Sequence, residues 1–195
     1  MHRFTTPVLL AVFFASWHSA APCAEKTGDE AKPRTSQDQG LNYRNTAPQD
    51  FDTVIIAANA ADRARAQEIL EIYRVLESDP SIANMRKYIA SGYIQHNTVI
   101  PDGPEPLAMV FSSSVAQYPV AIDVHKVMVL GDWAMAHVNF RNLSGNNPND
   151  LGIAAVDIYR YNADGKVIEH WDVLQGVPTH SANPNGMFLP VFDEE

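Results

Sequence analysis

The chain has 195 residues, of which 46% are hydrophobic and 19% are charged, a balance typical of a soluble protein with one hydrophobic core. Its formal net charge of −9 argues against nucleic acid and anionic membrane surfaces as partners. Cys23 is the single cysteine, so no disulfide can form within the chain and the core alone must stabilise the fold.

The first 24 residues have the pattern of a secretory signal peptide. A basic residue at Arg3 precedes an apolar run from Pro7 to Trp17, and small residues follow up to Ala24. The run is shorter than the roughly 20 apolar residues that a membrane-spanning helix needs. We therefore predict a secreted or periplasmic protein that has no membrane attachment once the signal peptide is removed.

Residues 25–50 form a polar stretch with several Pro and Gly residues, which predicts a disordered spacer. Residues 51–195 then make up a single domain. Cys23 is a candidate lipid-attachment site, although Pro22 directly before it is a poor match to the small residue that such sites prefer.

Three helices are predicted at the start of the domain. Apolar residues recur at spacings of three and four in the first, Asp62–Glu77. Asp79 and Pro80 suit the start of a second helix that runs to about Ala90 and ends at Gly92. An extended piece, 93–98, and a Pro-Asp-Gly-Pro turn lead to a third helix, 107–115.

Four strands are predicted to follow, namely 120–130, 133–143, 153–161 and 166–174. Helices followed by strands indicate an α+β fold in which a curved antiparallel sheet wraps around the N-terminal helices as a cone.

The last two strands flank Asn162-Ala163-Asp164-Gly165, which suits a tight turn in which Gly165 adopts a positive φ. If Asn162 pairs with Lys166, then Ile158 lies opposite His170 and Val156 lies opposite Asp172. His170 and Asp172 would share one face with these apolar residues, which identifies that face as the inner one. Asp157 and Trp171 would lie on the other face. Alternatively, His170 and Asp172 only bond to neighbouring groups and stabilise the sheet.

The run DIYRYNADGKVIEHWDVLQ, residues 157–175, and the later SANPNGMF, residues 181–188, resemble the SnoaL-like branch of the nuclear transport factor 2-like superfamily. The segments YIQHN, DG and LGDWAMAH fall in the family's order further upstream. The resemblance covers roughly residues 62–188. It implies the cone-like α+β roll, also called cystatin-like, with His96 and Asn97 at the mouth of the pocket. Its prototypes are polyketide cyclases that close a ring by an intramolecular aldol reaction, with an acidic residue as the base.

Our first hypothesis is a pocket that handles a small apolar carbonyl compound, with Asp172 as general base and without a metal or cofactor. His170 or His96 would orient Asp172 or donate a hydrogen bond to the developing enolate. Further candidate ligand contacts are Asn97, His137, Tyr93, Trp171 and Asp157.

Two alternatives remain open at the level of sequence. The same fold also serves as a non-catalytic module that binds a ligand or a protein. A metal site could use His96, His137, His170 and Asp172, but these residues lack the short fixed spacings of a metal motif. If the convex face of the sheet carries exposed apolar residues, it should pair two chains into a homodimer, as is common in this superfamily.

Overall fold

The computed structural model describes residues 53–183 and 185–188. The predicted signal peptide and spacer lie outside these residues. Within the described part of the chain, no helix is both long enough and apolar enough to cross a membrane.

In the described residues, three helices and six strands form the predicted α+β fold, with two strands more than the sequence predicted. The helices are α1 (Ala60–Ser78), α2 (Ile82–Tyr88) and α3 (Pro104–Val115). The strands are β1 (Val54–Ala57), β2 (Ile89–Gln95), β3 (Ala121–Leu130), β4 (Trp133–Arg141), β5 (Ile153–Tyr161) and β6 (Val167–Gly176). They form one curved, unclosed sheet in the order β1-β3-β4-β5-β6-β2.

The central strands β3 to β6 are antiparallel, whereas the two edge strands are parallel to their neighbours, β1 to β3 and β2 to β6. Strand β1 was not predicted, and of β2 only residues 93–95 fall within the predicted extended piece 93–98. The second helix ends at Tyr88, because Ile89 already has extended backbone angles, φ −111° and ψ 131°. Gly92 therefore lies inside β2 and does not end a helix.

One face of the sheet, called the interior face below, packs against the helices. Asn59 is the N-cap of helix α1, and its side chain accepts a hydrogen bond of 2.9 Å from the backbone N–H of Asp62. The apolar stripe of α1, which includes Ile69 and Tyr73, is buried together with Val127 and Ala136 of the sheet. We call the opposite side of the sheet the outer face.

The turn of the central hairpin has the predicted geometry. Gly165 has a φ of 76°, and the N–H of Asn162 donates to the carbonyl of Lys166 at 2.9 Å. The residues opposite each other differ from the prediction, because a β-bulge follows the turn. Tyr161 pairs with Val167, whereas Arg160 pairs with Glu169, so β6 contains one additional residue there.

The bulge shifts the register of the rest of the hairpin by one residue. Asp157 lies opposite Asp172, and Ile158 lies opposite Trp171. The expectation that Asp157 lies on the face opposite Asp172 is therefore wrong, and Val156 belongs to the outer face. Trp171 does lie on the outer face, as expected.

Candidate active site

Two carboxylates and one imidazole meet on the interior face of β5 and β6. One ligand atom from each of Asp157, His170 and Asp172 lies within 4.8 Å of those of the other two. Asp157 and His170 are buried, with 3% and 8% of their surface exposed, whereas Asp172 is only partly buried. Buried ionisable side chains require partners, so the hydrogen bonds around each one determine its role.

Asp157 is held by groups from three elements. The Tyr73 hydroxyl of α1 donates to Asp157 Oδ2 at 2.5 Å, and the Tyr159 hydroxyl donates to the Tyr73 oxygen at 2.8 Å. His170 Nε2 lies 3.4 Å from Asp157 Oδ1. Burial, and then the negative charge of Asp157, raise the pKa of both tyrosines well above the ordinary value, so both remain hydrogen-bond donors.

Gln95 fixes the orientation of the His170 ring. The backbone N–H of Asn97, which can only donate, points at Gln95 Oε1 at 3.0 Å. The same oxygen lies 2.8 Å from His170 Nδ1, which must therefore carry a hydrogen and donate it. His170 Nε2 then faces Asp157, and an ion pair forms when the ring carries its second proton.

Asp172 has fewer partners than Asp157. The side-chain amide of Asn97 donates to Asp172 Oδ2 at 2.6 Å. Between residues 53 and 188, as far as they are described, no other side chain donates a hydrogen bond to Asp172. Its second oxygen therefore keeps its lone pairs available for a substrate proton.

The loop after β2 places Asn97 and Gln95 next to this cluster. Asp102 Oδ1 accepts a hydrogen bond from the Gln95 backbone N–H at 2.8 Å, and Gly103 N donates to the Tyr93 carbonyl at 2.9 Å. Gly103 has a φ of 95°, a conformation that glycine adopts without a Cβ clash. The Asp102-Gly103 turn thus folds the loop back onto its own strand.

His96 lies away from the cluster. Gln95 points to the interior face, so the next side chain along the strand points outward. The His96 ring stacks on Trp171 with centroids 4.5 Å apart, and its Nε2 lies 2.9 Å from Glu169 Oε1. This corrects the expectation that His96 flanks Asp172 at the mouth of a pocket.

His137 also lies on the outer face, in the same face as Trp133 and Met135. Its neighbours are Lys126, at 3.4 Å from His137 Nδ1, and the Phe188 ring, at 5.4 Å between centroids. The four-residue metal set considered from the sequence is therefore divided between two faces. Among the described residues, Asp157, His170 and Asp172 have a metal-compatible spacing, although His170 and Asp157 already have partners.

Of the candidates from the sequence, the structure brings Asp172, His170, Asn97, Tyr93 and Asp157 together, whereas Trp171, His96 and His137 lie elsewhere. Sequence reasoning missed Tyr73, Tyr159 and Gln95. Tyr73 belongs to the apolar stripe of α1, and its hydroxyl partner lies 84 residues away, so no local pattern in the sequence indicates the bond. Gln95 alternates with Tyr93 in the same strand, which is a weak signal that both share a face.

An open apolar groove lies on the other side of the sheet. It has a volume of about 520 Å³, and its lining includes Ile56, Leu130, Trp133, Met135 and Ile158. Leu130 and Trp133 are 74% and 48% exposed. Large apolar side chains in a contiguous exposed patch are typical of an interaction surface.

No protein-family model and no curated protein sequence matches this chain. Solved structures do match. A Bacillus cereus protein provisionally named a polyketide cyclase superposes with a TM-score of 0.53 at 15% identity, over 64% of this chain and 85% of its own. An NTF2-like protein of unknown function from Mesorhizobium loti gives a TM-score of 0.50 at 20% identity, over 63% of this chain and 100% of its own.

A SnoaL-like protein from Jannaschia, also provisionally named a polyketide cyclase, has a TM-score of 0.47 at 17% identity, over 60% of this chain and 88% of its own. At these identities the likeness concerns the fold. The chain has the nuclear transport factor 2-like fold that its sequence predicts.

Proposed function

We propose that this protein removes a proton from the carbon next to the carbonyl group of a small apolar compound, with Asp172 as general base and without a cofactor. The observation that carries the proposal is the contrast between the two carboxylates of the site. Asp157 is buried, accepts from Tyr73 and faces His170, whereas Asp172 is partly exposed and retains an oxygen to which no described side chain donates.

In the proposed step, Asp172 takes the α-proton, and the electrons of the C–H bond form a carbon–carbon double bond. The carbonyl π electrons move to oxygen and give an enolate. Asp172 then returns the proton to carbon, or the enolate carbon attacks a second carbonyl group in an aldol reaction and Asp172 gives its proton to the alkoxide that forms. A positioned general base contributes about 10² to 10⁴ in rate.

A solved structure with this fold supports the choice of reaction class. The Bacillus cereus protein carries the provisional name of polyketide cyclase, and an aldol closure begins with the same proton abstraction. Fold alone does not define a reaction, so the contacts of Asp172 remain the main support.

The test is deuterium exchange from D₂O into apolar ketones such as 1-tetralone and 2-indanone, followed by proton NMR. We expect saturable exchange by the wild-type protein and a loss of about a hundredfold or more in Asp172→Asn, which has nearly the same shape without the basic charge. Ketone binding without exchange would instead favour the alternative, a non-catalytic ligand-binding module of the same fold.

We further propose that the apolar groove of the outer face pairs two copies of the chain. Leu130, Trp133 and Ile56 are too exposed and too close together for an ordinary solvated surface. Sedimentation at micromolar concentration should give twice the chain mass, and Trp133→Glu should give a monomer. A wild-type monomer at high concentration would contradict this proposal.

Secretion is also a proposal, and it rests on the signal pattern of residues 1–24. N-terminal sequencing of the mature protein should begin between about Ala21 and Lys26. An intact Met1 on protein from the cytoplasm would contradict it.

A further inference from the structure

A directed chain of hydrogen bonds ends at the Tyr93 hydroxyl. The Asn97 backbone N–H donates to Gln95 Oε1 at 3.0 Å, which fixes the orientation of the carboxamide. Gln95 Nε2 therefore donates to the Tyr93 oxygen, also at 3.0 Å. Tyr93 accepts this bond, and in the described part of the chain no acceptor lies within hydrogen-bond distance of its own hydroxyl hydrogen.

The other donors of the cluster are already committed. Tyr73 donates to Asp157 and Tyr159 donates to Tyr73. His170 uses Nδ1–H for Gln95 and directs Nε2 at Asp157. The amide of Asn97 donates to Asp172. Among the hydroxyl and imidazole groups of the cluster, Tyr93 is therefore the one whose hydrogen is free for a ligand, as far as the chain is described, and His170 does not fit the role of enolate donor. The amides of Gln95 and Asn97 each keep a second N–H hydrogen, but neither belongs to a hydroxyl beside both carboxylates.

Tyr93 belongs to the same interior cluster as the two carboxylates of the site. It is 2% exposed and shares the interior face with Gln95, which pairs with His170 in the neighbouring strand. Burial, followed by the negative charges of Asp157 and Asp172, raises the pKa of Tyr93 far above the ordinary value. The hydroxyl therefore remains neutral and keeps its hydrogen.

We propose that the Tyr93 hydroxyl, oriented by Gln95, donates a hydrogen bond to the carbonyl oxygen of the substrate and stabilises the enolate that forms when Asp172 takes the α-proton. The inference rests on the proposed function. No proton leaves Tyr93, because the carbonyl electron pair stays on the substrate oxygen and is only hydrogen-bonded. Donation from Gln95 into the Tyr93 oxygen polarises the O–H bond and strengthens it as a donor.

The role of Tyr93 selects a class of ligand. A neutral hydroxyl donor in a buried site favours an oxygen that carries partial or full negative charge on an apolar frame. Phenolates have this arrangement and resemble an enolate in charge and shape. They are therefore probes of the site that require no knowledge of the natural substrate.

The first test is the affinity for 2-naphthol and for a series of nitrophenols, measured by fluorescence and absorbance. In Tyr93→Phe we expect affinity for the phenolate forms to fall about ten- to a hundredfold, which is the scale of a hydrogen bond to a charged group. Tyr161→Phe is the matched control, because the Tyr161 hydroxyl is buried, has no hydrogen-bond partner among the described residues and lies outside the cluster. Unchanged phenolate affinity in Tyr93→Phe would overturn the proposal.

A second variant tests the orientation of the hydroxyl. Gln95→Glu keeps an oxygen for Asn97 and His170 but replaces the donor to Tyr93 with an acceptor. The Tyr93 hydrogen should then turn to the introduced carboxylate, and phenolate affinity should fall as far as in Tyr93→Phe, with no further loss in the double variant. Wild-type affinity in a folded Gln95→Glu protein would show that Gln95 does not orient Tyr93.

Deuterium exchange separates the two proposals. If Asp172→Asn loses exchange while Tyr93→Phe keeps both exchange and phenolate affinity, Asp172 is the base and the Tyr93 proposal fails. If Asp172→Asn exchanges like wild type, the proposed function fails, whereas phenolate affinity still reports whether Tyr93 donates to a bound oxygen.

Discussion

Two clusters that contain histidine occupy opposite faces of the same sheet. On the interior face, His170 lies between Gln95 and the carboxylate of Asp157. On the outer face, His125 stacks on Phe188 with ring centroids 4.5 Å apart, and His137 lies beside it at 6.2 Å. The neighbours of His170 are oxygen acceptors and a negative charge. The neighbours of His125 and His137 are the Phe188 ring and the Lys126 cation.

The contrast shows that surroundings, more than residue type, decide what a histidine can do. Burial, and then the nearby positive charges of His137 and Lys126, lower the pKa of His125 to about 4. Burial also lowers the pKa of His137. At neutral pH the outer cluster therefore packs as uncharged rings, whereas the interior cluster has the polar contacts that proton transfer requires.

The largest effect on stability is expected when the charge that anchors the interior cluster is removed. Asp157→Asn removes the carboxylate that accepts from Tyr73 and faces His170, both of them buried. We expect the free energy of unfolding to fall by about 3 kcal/mol in urea melts, since a buried polar network loses one charged partner. A loss below about 1 kcal/mol would mean that the interior cluster is no better anchored than an exposed one.

The second effect concerns the outer cluster and its pH dependence. His125 has a folded-state pKa of about 4 and an ordinary value of 6.5 when unfolded, so the folded protein favours the neutral ring. This contribution is complete above pH 6.5 and is lost as the pH falls towards 4. The free energy of unfolding of the wild-type protein should therefore fall by on the order of 2 kcal/mol over that range.

His125→Phe keeps a flat ring against Phe188 and removes the titrating group. Urea melts at about pH 7 and about pH 4.5, on either side of the ordinary histidine pKa, should show a smaller loss of stability in this variant than in wild type. Equal losses in the two proteins would show that His125 titrates in its ordinary range, and the contrast with His170 would disappear.

The smallest expected effects on stability come from two tyrosines of the same strand, Tyr159 and Tyr161. Tyr159 donates to Tyr73 within the interior network, whereas the buried Tyr161 hydroxyl has no hydrogen-bond partner in the part of the chain that the structure describes. Tyr159→Phe should reduce the free energy of unfolding by about 1 kcal/mol, and Tyr161→Phe should change it little or increase it. Thermal melts of both variants check the order, and the reverse order would place the network elsewhere.

Much of the fold could be predicted from local pattern. The apolar stripe of α1 and the Asn162–Gly165 turn both have clear sequence signals, and the structure contains both. The edge strand β1 gave no such signal, because its four residues depend on pairing with β3, which lies far along the chain. The local periodicity of a sequence does not predict the pairing of short segments that lie far apart in the chain.

The candidate site was predicted only in part, and a single residue explains the error. The β-bulge adds Ile168 to β6, and no Gly or Pro marks it in the sequence. A shift of one residue exchanges the two faces of β5. Asp157 and Tyr159 therefore lie on the interior face and Val156 on the outer face, the reverse of the prediction. His170 and Asp172 kept their shared face because their spacing of two lies beyond the bulge.

The most direct test of the account measures stability and exchange in one preparation of Asp172→Asn. Asp172 is partly exposed and, among the described side chains, accepts a hydrogen bond from Asn97 alone, so the free energy of unfolding should stay within about 1 kcal/mol of wild type. Deuterium exchange into 1-tetralone should be lost. A loss of about 1.5 to 3 kcal/mol together with unchanged exchange would contradict the account, because Asp172 would then be a structural anchor and not the base.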